Sequence, residues 1–598
     1  MSQYHAPLKE MHFVLRELAG LEQVGKLPGF EDATPDTVAA VLEEASKFAT
    51  EVLDPLNSVG DREGARRLDD GTVKTAPGFR DAYLKYCANG WNGLTKNPEF
   101  GGQGLPQLVA TAVEEMWHAS NMAFDLCPLL TQGAIEAIEL CGTPEQKERF
   151  LPKMVEGVWT GTMNLTEPQA GSDLAAVRTR AVPQPDGSYK LYGQKIFITY
   201  GEQDYTENII HLVLGRTPTA PEGVKGISLF IVPKFLLDGD GSPGTRNDVH
   251  CMSLEHKLGI HASPTAVLAY GDHGGATGYL VGEENRGLEY MFIMMNLARF
   301  SVGLEGVGIA ERAYQRAAAY AKERVQGRAV GEQSVKGATI IQHPDVRRML
   351  LSMKAQTEAM RALAYVTAAA LDNARAHPDP EARKRHQAFV DLMIPIVKGW
   401  CTETAQEIAY TGVQVHGGMG FIEETGAAQH YRDARIITIY EGTTGIQAND
   451  LVGRKTARDA GATALAVIEQ MRMLDGELAR QPGSEFAAIR RELAGAVTAL
   501  RAAVEWVVKI YGSDPRAAHA ASVPYLRLWG LAAGGWQMAR GALAAAKKLS
   551  DGADPGFHQA KIATARFYAD YFLPQARALE HAVVTAGESV LALTDEQF

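Results

Sequence analysis

Cysteine is scarce: five residues in 598, at positions 87, 127, 141, 251 and 401, with no Cys-x-x-Cys pairing. An odd, scattered set supports neither a disulfide framework nor a zinc ribbon. No His/Asp/Cys grouping has metal-ligand spacing along the chain, and no metal is expected. A run of ~18 uncharged apolar residues, the length a bilayer requires, is also missing. The nearest approach, 528–539, is short and bounded by Arg527 and Arg540. The opening Met-Ser-Gln-Tyr-His-Ala-Pro-Leu-Lys-Glu lacks the apolar centre of a secretory signal, so a cytoplasmic location is expected. Positive charge is in deficit, 59 Lys and Arg against 71 Asp and Glu, a net −12 that speaks against a general nucleic-acid binder. Arg383-Lys-Arg385 reads as a solvated helix face. Internal repeats and low-complexity tracts are absent. Apolar content of 46% and charged content of 22% are those of an ordinary globular protein, and the length calls for several domains.

The pattern changes four times. Residues 1–34 form an N-terminal arm. Residues 35–157 read as helical, with a helix from Pro35 that ends before Pro55 and another opened by Thr143-Pro144 as cap and first position. From 158 to 283 glycine and β-branched residues rise, and short strand-like runs appear at 162–166, 196–199, 209–214, 227–232 and 266–270. Pro185-Asp-Gly187 between two such runs is a hairpin signal. Long helices return over 284–455, expected at 296–324 and 344–377, with a break at 412–426. Over 456–598 an apolar stripe (Phe486, Ile489, Leu493, Val497, Leu500, Val504, Val507) steps by threes and fours, as in an antiparallel bundle. The fold class expected is mainly α with an inserted β domain.

The stretch that organises the chain is Arg435-Ile-Ile-Thr-Ile-Tyr-Glu441-Gly-Thr-Thr-Gly-Ile-Gln447. A carboxylate follows five residues without formal charge and precedes Gly-Thr-Thr-Gly, whose backbone can approach something flat. On these residues alone Glu441 is either a general base beside a cofactor ring or a helix-end Glu in a solvated turn.

Four segments decide how the chain is read: Met163-Asn-Leu-Thr-Glu-Pro-Gln-Ala-Gly-Ser-Asp173, Lys195-Ile-Phe-Ile-Thr-Tyr-Gly201, Gln414-Val-His-Gly-Gly-Met-Gly-Phe421 and Ile439-Tyr-Glu-Gly-Thr443. In this order and at these intervals they resemble the acyl-CoA dehydrogenase family, over about 35–455. The N-terminal arm and C-terminal bundle resemble its longer bacterial subgroup, which includes 3-methylmercaptopropionyl-CoA dehydrogenases. The resemblance implies a helical bundle, a β-barrel or sandwich, a second helical bundle and an added C-terminal bundle. It implies FAD as cofactor and α,β-desaturation of an acyl-CoA thioester, with Glu441 as the α-proton base. Part of the family carries its base on an earlier helix, but the matching position here is Ala298, which cannot act as one.

By the same resemblance Thr166 and Thr199 hydrogen-bond the isoalloxazine edge, Phe197 stacks on it, and Met163 and Leu165 line that face. Ser172 reaches the CoA arm, unless it is a helix cap. Arg324 pairs with the FAD pyrophosphate, for which a guanidinium fork is suited, and Gln326 is a weaker assignment because the usual neighbouring Phe is missing. Gln414, Gly417 and Gly418 meet the adenosine part, bound by a neighbouring subunit. Thr443 faces the flavin, while Gly445 stands where many relatives have Gln and is given no contact. Arg299 faces the CoA entrance or is a surface Arg. His416 reads as a loop histidine packed near the adenosine. The expected electron acceptor is an electron-transfer flavoprotein, and the expected assembly is a homodimer. An acyl-CoA oxidase on the same scaffold, a DNA-associated alkylation-response relative and a structural helical protein without cofactor are the alternatives. The acyl chain is not legible.

Overall fold

A computed structural model describes residues 3–331 and 337–598. The chain divides into two compact units, one of residues 47–105 and 120–298, the other of 1–46, 106–119 and 299–598. These cut across the five segments read from the sequence: the N-terminal arm and the C-terminal bundle fall in one unit with the second set of long helices.

The unit of 47–105 and 120–298 is built on an eight-stranded sheet. Its strands are β1 (Trp159–Asn164), β2 (Arg180–Pro183), β3 (Tyr189–Thr199), β4 (Asn208–Gly215), β5 (Ser228–Pro233), β6 (Val249–Leu254), β7 (Thr265–Tyr270) and β8 (Ala276–Val281). They lie in the order β6-β7-β3-β8-β5-β4-β1, with β2 on β3, and only the β1/β4 pair is parallel. Strands β4 and β5 are buried on both faces, which is why their sequences are continuous apolar runs. Strands β2, β6 and β8 mix polarity and leave no such signal. The hairpin at Pro185-Asp-Gly187 forms, with Gly187 at φ +84° and Asp186 Oδ1 accepting from Ser188 N at 3.0 Å. Thr143 and Gln146 close a reciprocal capping box on helix Pro144–Glu156.

In the second unit, helices Pro344–Ala376 and Pro380–His416 form a hairpin, followed by Ala462–Arg480, Ser484–Tyr511, Ser522–Ser550, Pro555–Tyr571 and Gln575–Val590. The predicted stripe from Phe486 to Val507 is buried throughout. Helix Ser522–Ser550 lies so close to Trp400 that a Cβ at Gly530 would sit 2.0 Å from the indole. The N-terminal arm is tied in by buried charge: Lys561 Nζ donates to Glu10 Oε1 at 2.6 Å and to Glu358 Oε2 at 2.7 Å, and Lys354 pairs with the other oxygen of Glu358.

Three local expectations change. The helix from Pro35 continues through a π-helical turn, Ala49–Leu53, into Asp54–Glu63, so that the wider turn lies immediately before Pro55, whose missing N–H would interrupt a regular α ladder. The break expected from Gly412 starts later: helix Pro380–His416 runs through that glycine and stops at Gly417, which takes φ +60°. Finally, helix Gly287–Glu323 begins nine residues before the expected 296 and does hold an 18-residue window apolar enough to cross a membrane. That window is 72% buried within the protein, as in an interior helix.

Candidate active site

In the helical unit, Glu441 sits between the 3-10 turn Arg435–Thr438 and helix Thr444–Asp450. It adopts φ +56°, a conformation that non-glycine residues rarely hold without support, and Gly442 follows at +87°. Two side chains supply that support. Gln447 Nε2 donates to the carbonyls of Glu441 (3.1 Å) and Gly442 (3.2 Å), and Lys398 Nζ donates to Gly442 O at 2.7 Å. Lys398 and Gln447 are both fully buried. Tyr440 donates its hydroxyl to Glu305 Oε2, so the residue before Glu441 is anchored as well.

The electrostatics follow from burial. Desolvation pushes the Glu441 carboxyl up to about 7, against the opposing pull of Arg299 and Lys398. Glu305, fully buried, is pushed up to about 8; its Tyr440 hydrogen bond and Lys398 oppose that shift, and the Glu441 charge adds to it. Burial brings Lys398 down to about 8, with Glu441 and Glu305 opposing. Arg299 is 5% exposed, and burial lowers its pKa while Asp450 and Glu441 oppose. The surface alternative for Arg299 is therefore not what is found: the guanidinium is buried, with the charges of Asp450 and Glu441 acting on it and its Nε without a hydrogen-bond partner. Ile437 is buried and Ile436 partly so, while Ile439 is 45% exposed. The Thr443 hydroxyl caps the next helix by accepting from Ile446 N at 3.3 Å, which leaves its proton free for another partner.

The other predicted residues of this unit gather elsewhere. Arg324 and Gln326 are exposed just beyond helix Gly287–Glu323, and Gln414, Gly417 and Gly418 are exposed at the end of Pro380–His416. Tyr320 and His416 stack at 4.5 Å and so bring the two helix ends together. His416 packs there, with Nδ1 2.7 Å from Gly412 O, and belongs to the helix rather than to a loop. Around Gly417 and Gly418 a Cβ would meet nothing within 4 Å, so the backbone is open to a ligand. From Lys398 to His416 is 18 residues of helix, or about 27 Å at 1.5 Å per residue. Within one chain, then, Arg324, Gln414, Gly417 and Gly418 form one group and Glu441 belongs to another.

In the β unit the first two motifs lie side by side. Ile196 N donates to Thr166 O at 2.9 Å, and Lys195 Nζ donates to Leu165 O at 3.0 Å and Glu167 Oε1 at 2.8 Å. Burial would raise the Glu167 carboxyl, but Lys195, Thr179 and the Arg178 backbone outweigh it and hold it down at about 2. Between Ile198 and Lys195 the register against β7 slips, and within that bulge Phe197 takes φ +60°. The slip turns the ring outward, 59% exposed, on the same segment as partly buried Thr199. Thr166, Met163 and Leu165 are partly buried close by in sequence. An exposed aromatic ring on the segment that carries Thr199, whose Ile196 is hydrogen-bonded to the Thr166 backbone, suits a flat heterocycle with a polar edge. Ser172 is exposed and caps nothing; Asp173 does the capping, accepting from Ala175 N at 2.9 Å.

Sequence reading missed Lys398, Glu305, Tyr440 and Gln447 around Glu441, and the Glu167–Lys195 pair. A signal existed for two of them. Lys398 is the lone charge in Ile394-Pro-Ile-Val-Lys-Gly-Trp-Cys401, and Glu305 the lone charge between Arg299 and Glu311. A single charge in an apolar helical run has to be matched inside.

Family models match along nearly the whole chain: acyl-CoA dehydrogenase N-terminal domain at 35–158, middle domain at 162–272, C-terminal domain at 285–455, and acetyl-CoA dehydrogenase C-terminal like at 465–594. The 3-methylmercaptopropionyl-CoA dehydrogenase of Ruegeria pomeroyi is 51% identical over 98% of this chain and 99% of its own. The broad-specificity linear acyl-CoA dehydrogenase of Mycobacterium tuberculosis is 35% identical over the full length of both. Among solved structures, an acyl-CoA dehydrogenase from Bacillus anthracis complexed with FAD superposes with TM-score 0.74 at 22% identity, over 98% of this chain and 92% of that one.

Proposed function

The chain belongs to the acyl-CoA dehydrogenase family, and on that premise we propose that it performs FAD-dependent α,β-desaturation of an acyl-CoA thioester with Glu441 as the α-proton base. The observation that carries the assignment is the clamped turn: a carboxylate fixed at positive φ by Lys398 and Gln447, with its pKa raised by burial to about 7. A base at that value is half ionised near neutral pH and strong enough to take a weakly acidic proton. FAD, when bound, supplies the two-electron acceptor for the β-hydrogen.

The residues have divided tasks. Glu441 removes the α-proton and holds it on its carboxyl. Phe197 stacks on the isoalloxazine, Thr166 and Thr199 hydrogen-bond its edge, and Met163 and Leu165 keep water from that face. Arg324 binds pyrophosphate, with Gln326 beside it, and Gln414, Gly417 and Gly418 hold adenosine. Thr443 offers its free hydroxyl proton to the flavin. Ser172 contacts the CoA arm, and Arg299 restrains the Glu441 pKa.

The preferred substrate is 3-methylmercaptopropionyl-CoA, supported by 51% identity to a dehydrogenase of that name; a linear fatty acyl-CoA is second, on 35% identity. Electrons pass to an electron-transfer flavoprotein in the cytoplasm. The working assembly is a homodimer in which one chain's Arg324 and Gln414–Gly418 group serves its partner's cofactor. The separation of about 27 Å along the helix supports it, as do exposed Met419, Phe421, Ile422 and Tyr431 beside that group.

Anaerobic mixing with 3-methylmercaptopropionyl-CoA or butyryl-CoA tests the chemistry by bleaching of the flavin band. Glu441→Gln is expected to keep FAD and bind the thioester while bleaching ~10²–10⁴-fold more slowly. Near-normal bleaching would remove Glu441 from its role.

A further inference from the structure

The β unit brings together three metal-competent side chains that the sequence keeps apart. Asp248 and His250 bracket the start of β6, and His273 lies in the loop joining β7 to β8. Among the described residues these are the one group of three or more acidic, His or Cys side chains whose ligand atoms all fall within 4.8 Å of one another. We propose that Asp248, His250 and His273 form a binding site for a divalent late transition metal of the zinc class.

The carboxylate is fixed before any ion arrives. Asp248 Oδ2 accepts from the backbone N–H of His273 at 2.7 Å and of Gly275 at 3.0 Å, and Asp248 O accepts from Gly271 N at 2.9 Å. The loop that carries His273 is thereby folded over the acid. The second oxygen, Oδ1, is buried with no hydrogen-bond partner. His250 Nε2 lies 3.2 Å from it, yet the imidazole edge is not aimed along that line as a hydrogen bond requires. Their 3.2 Å approach makes an ion pair, and it is also the spacing of two ligand atoms on one metal ion. Bonds of about 2.0–2.1 Å in a tetrahedron place adjacent ligands about 3.3 Å apart. The third member is in reach: the His250 and His273 rings sit 5.2 Å apart, nearly perpendicular at 81°.

Two imidazoles and one carboxylate select against calcium and magnesium, which take oxygen, and favour zinc, cobalt or nickel. The site lies beside the second flavin-binding motif rather than in it. His250 pairs with Ala269, Ala269 with Gln194, and Gln194 immediately precedes Lys195, three residues (about 10 Å) from Phe197 and five (about 17 Å) from Thr199 along β3. Its task is to clip the His273 loop onto the first residues of β6, so the ion acts on stability and not on turnover.

The test uses full-length, untagged, FAD-loaded protein dialysed against chelator. Titration with zinc chloride by calorimetry, and with cobalt chloride by visible absorption beyond the flavin band, is expected to show one saturable equivalent per chain. His250→Ala and His273→Ala should each weaken binding by at least ~10-fold and the double variant should abolish it, with FAD content and bleaching rate unchanged. Absence of saturable binding to the unmodified protein, or an equivalent that survives the double variant, overturns the proposal. If the variants fail to fold, diethyl pyrocarbonate labelling of the unmodified protein decides. Zinc should protect His250 and His273 from the reagent, and equal labelling with and without zinc counts against the site.

Discussion

Lys398→Met removes a buried ammonium one residue from the proposed base while keeping a flexible apolar stem in the same space. In the native site, burial drives the Glu441 carboxyl up and Lys398, with Arg299, holds it back at about 7. An opposite charge at close range moves a carboxylate by about 1–3 units. Because Lys398 bonds to Gly442 O rather than to the carboxylate itself, the low end applies: about 1 unit, or about 1.4 kcal/mol. The sign is fixed. Loss of the ammonium raises the Glu441 pKa, so the ionised fraction at pH 7 falls from about one half to about one tenth, a roughly five-fold loss. That loss vanishes above about pH 9, where both forms are ionised. The assay is anaerobic flavin bleaching by acyl-CoA from pH 5.5 to 10, with Lys398→Arg as the control that keeps the charge. The native rate should fall as pH drops through ~7, and the Met variant's as it drops through ~8. A deficit equal at every pH would mean that Lys398 acts only by holding the Gly442 carbonyl. An unshifted acid limb would refute the electrostatic argument.

Three further outcomes follow. Arg324→Ala should lower FAD occupancy of the purified protein, read from the ratio of flavin to protein absorbance, while molecules that stay loaded bleach at the native rate; unchanged occupancy would end the pyrophosphate assignment. Lys195→Met strands the Glu167 carboxylate inside the β unit, and urea titration should show a loss of about 3–5 kcal/mol, the usual cost of breaking a buried pair from one side. Because Glu167 is held down at about 2, its contribution is complete above the ordinary carboxylate value near 4.5 and is lost as pH falls toward 2; acid titration of the native protein should therefore show a loss of stability in that window, absent in a Glu167→Gln variant.

What the sequence disclosed was what repeats or what is spelled out contiguously. The buried stripe from Phe486 to Val507, the Asp-Gly hairpin and the doubly buried strands β4 and β5 each have a period or a turn residue that a linear reading detects. The four motifs were visible for the same reason. Strand β6 was not, because Val249-His-Cys-Met-Ser-Leu254 alternates without a clean apolar face. The sequence puts the break at Gly412, five residues before Gly417, because glycine is a local breaker, although helix packing tolerates it here. Partners such as Lys398 with Gly442, or Glu305 with Tyr440, join positions 44 and 135 residues apart. Only the packing of helices Gly287–Glu323 and Pro380–His416 against the Glu441 turn makes them neighbours, and no local pattern encodes that.

The Lys561 knot bears on how such a chain can be shortened. Two acids, Glu10 and Glu358, share two bases there, Lys354 and Lys561. Trimming the chain before helix Pro555–Tyr571 would remove Lys561 and uncover the two acids it pairs with; Glu358 would keep Lys354, while Glu10 would lose the ammonium that pairs with it. The arm that carries Glu10 and the bundle that carries Lys561 are therefore coupled, so that shortening one end of the chain loosens the other.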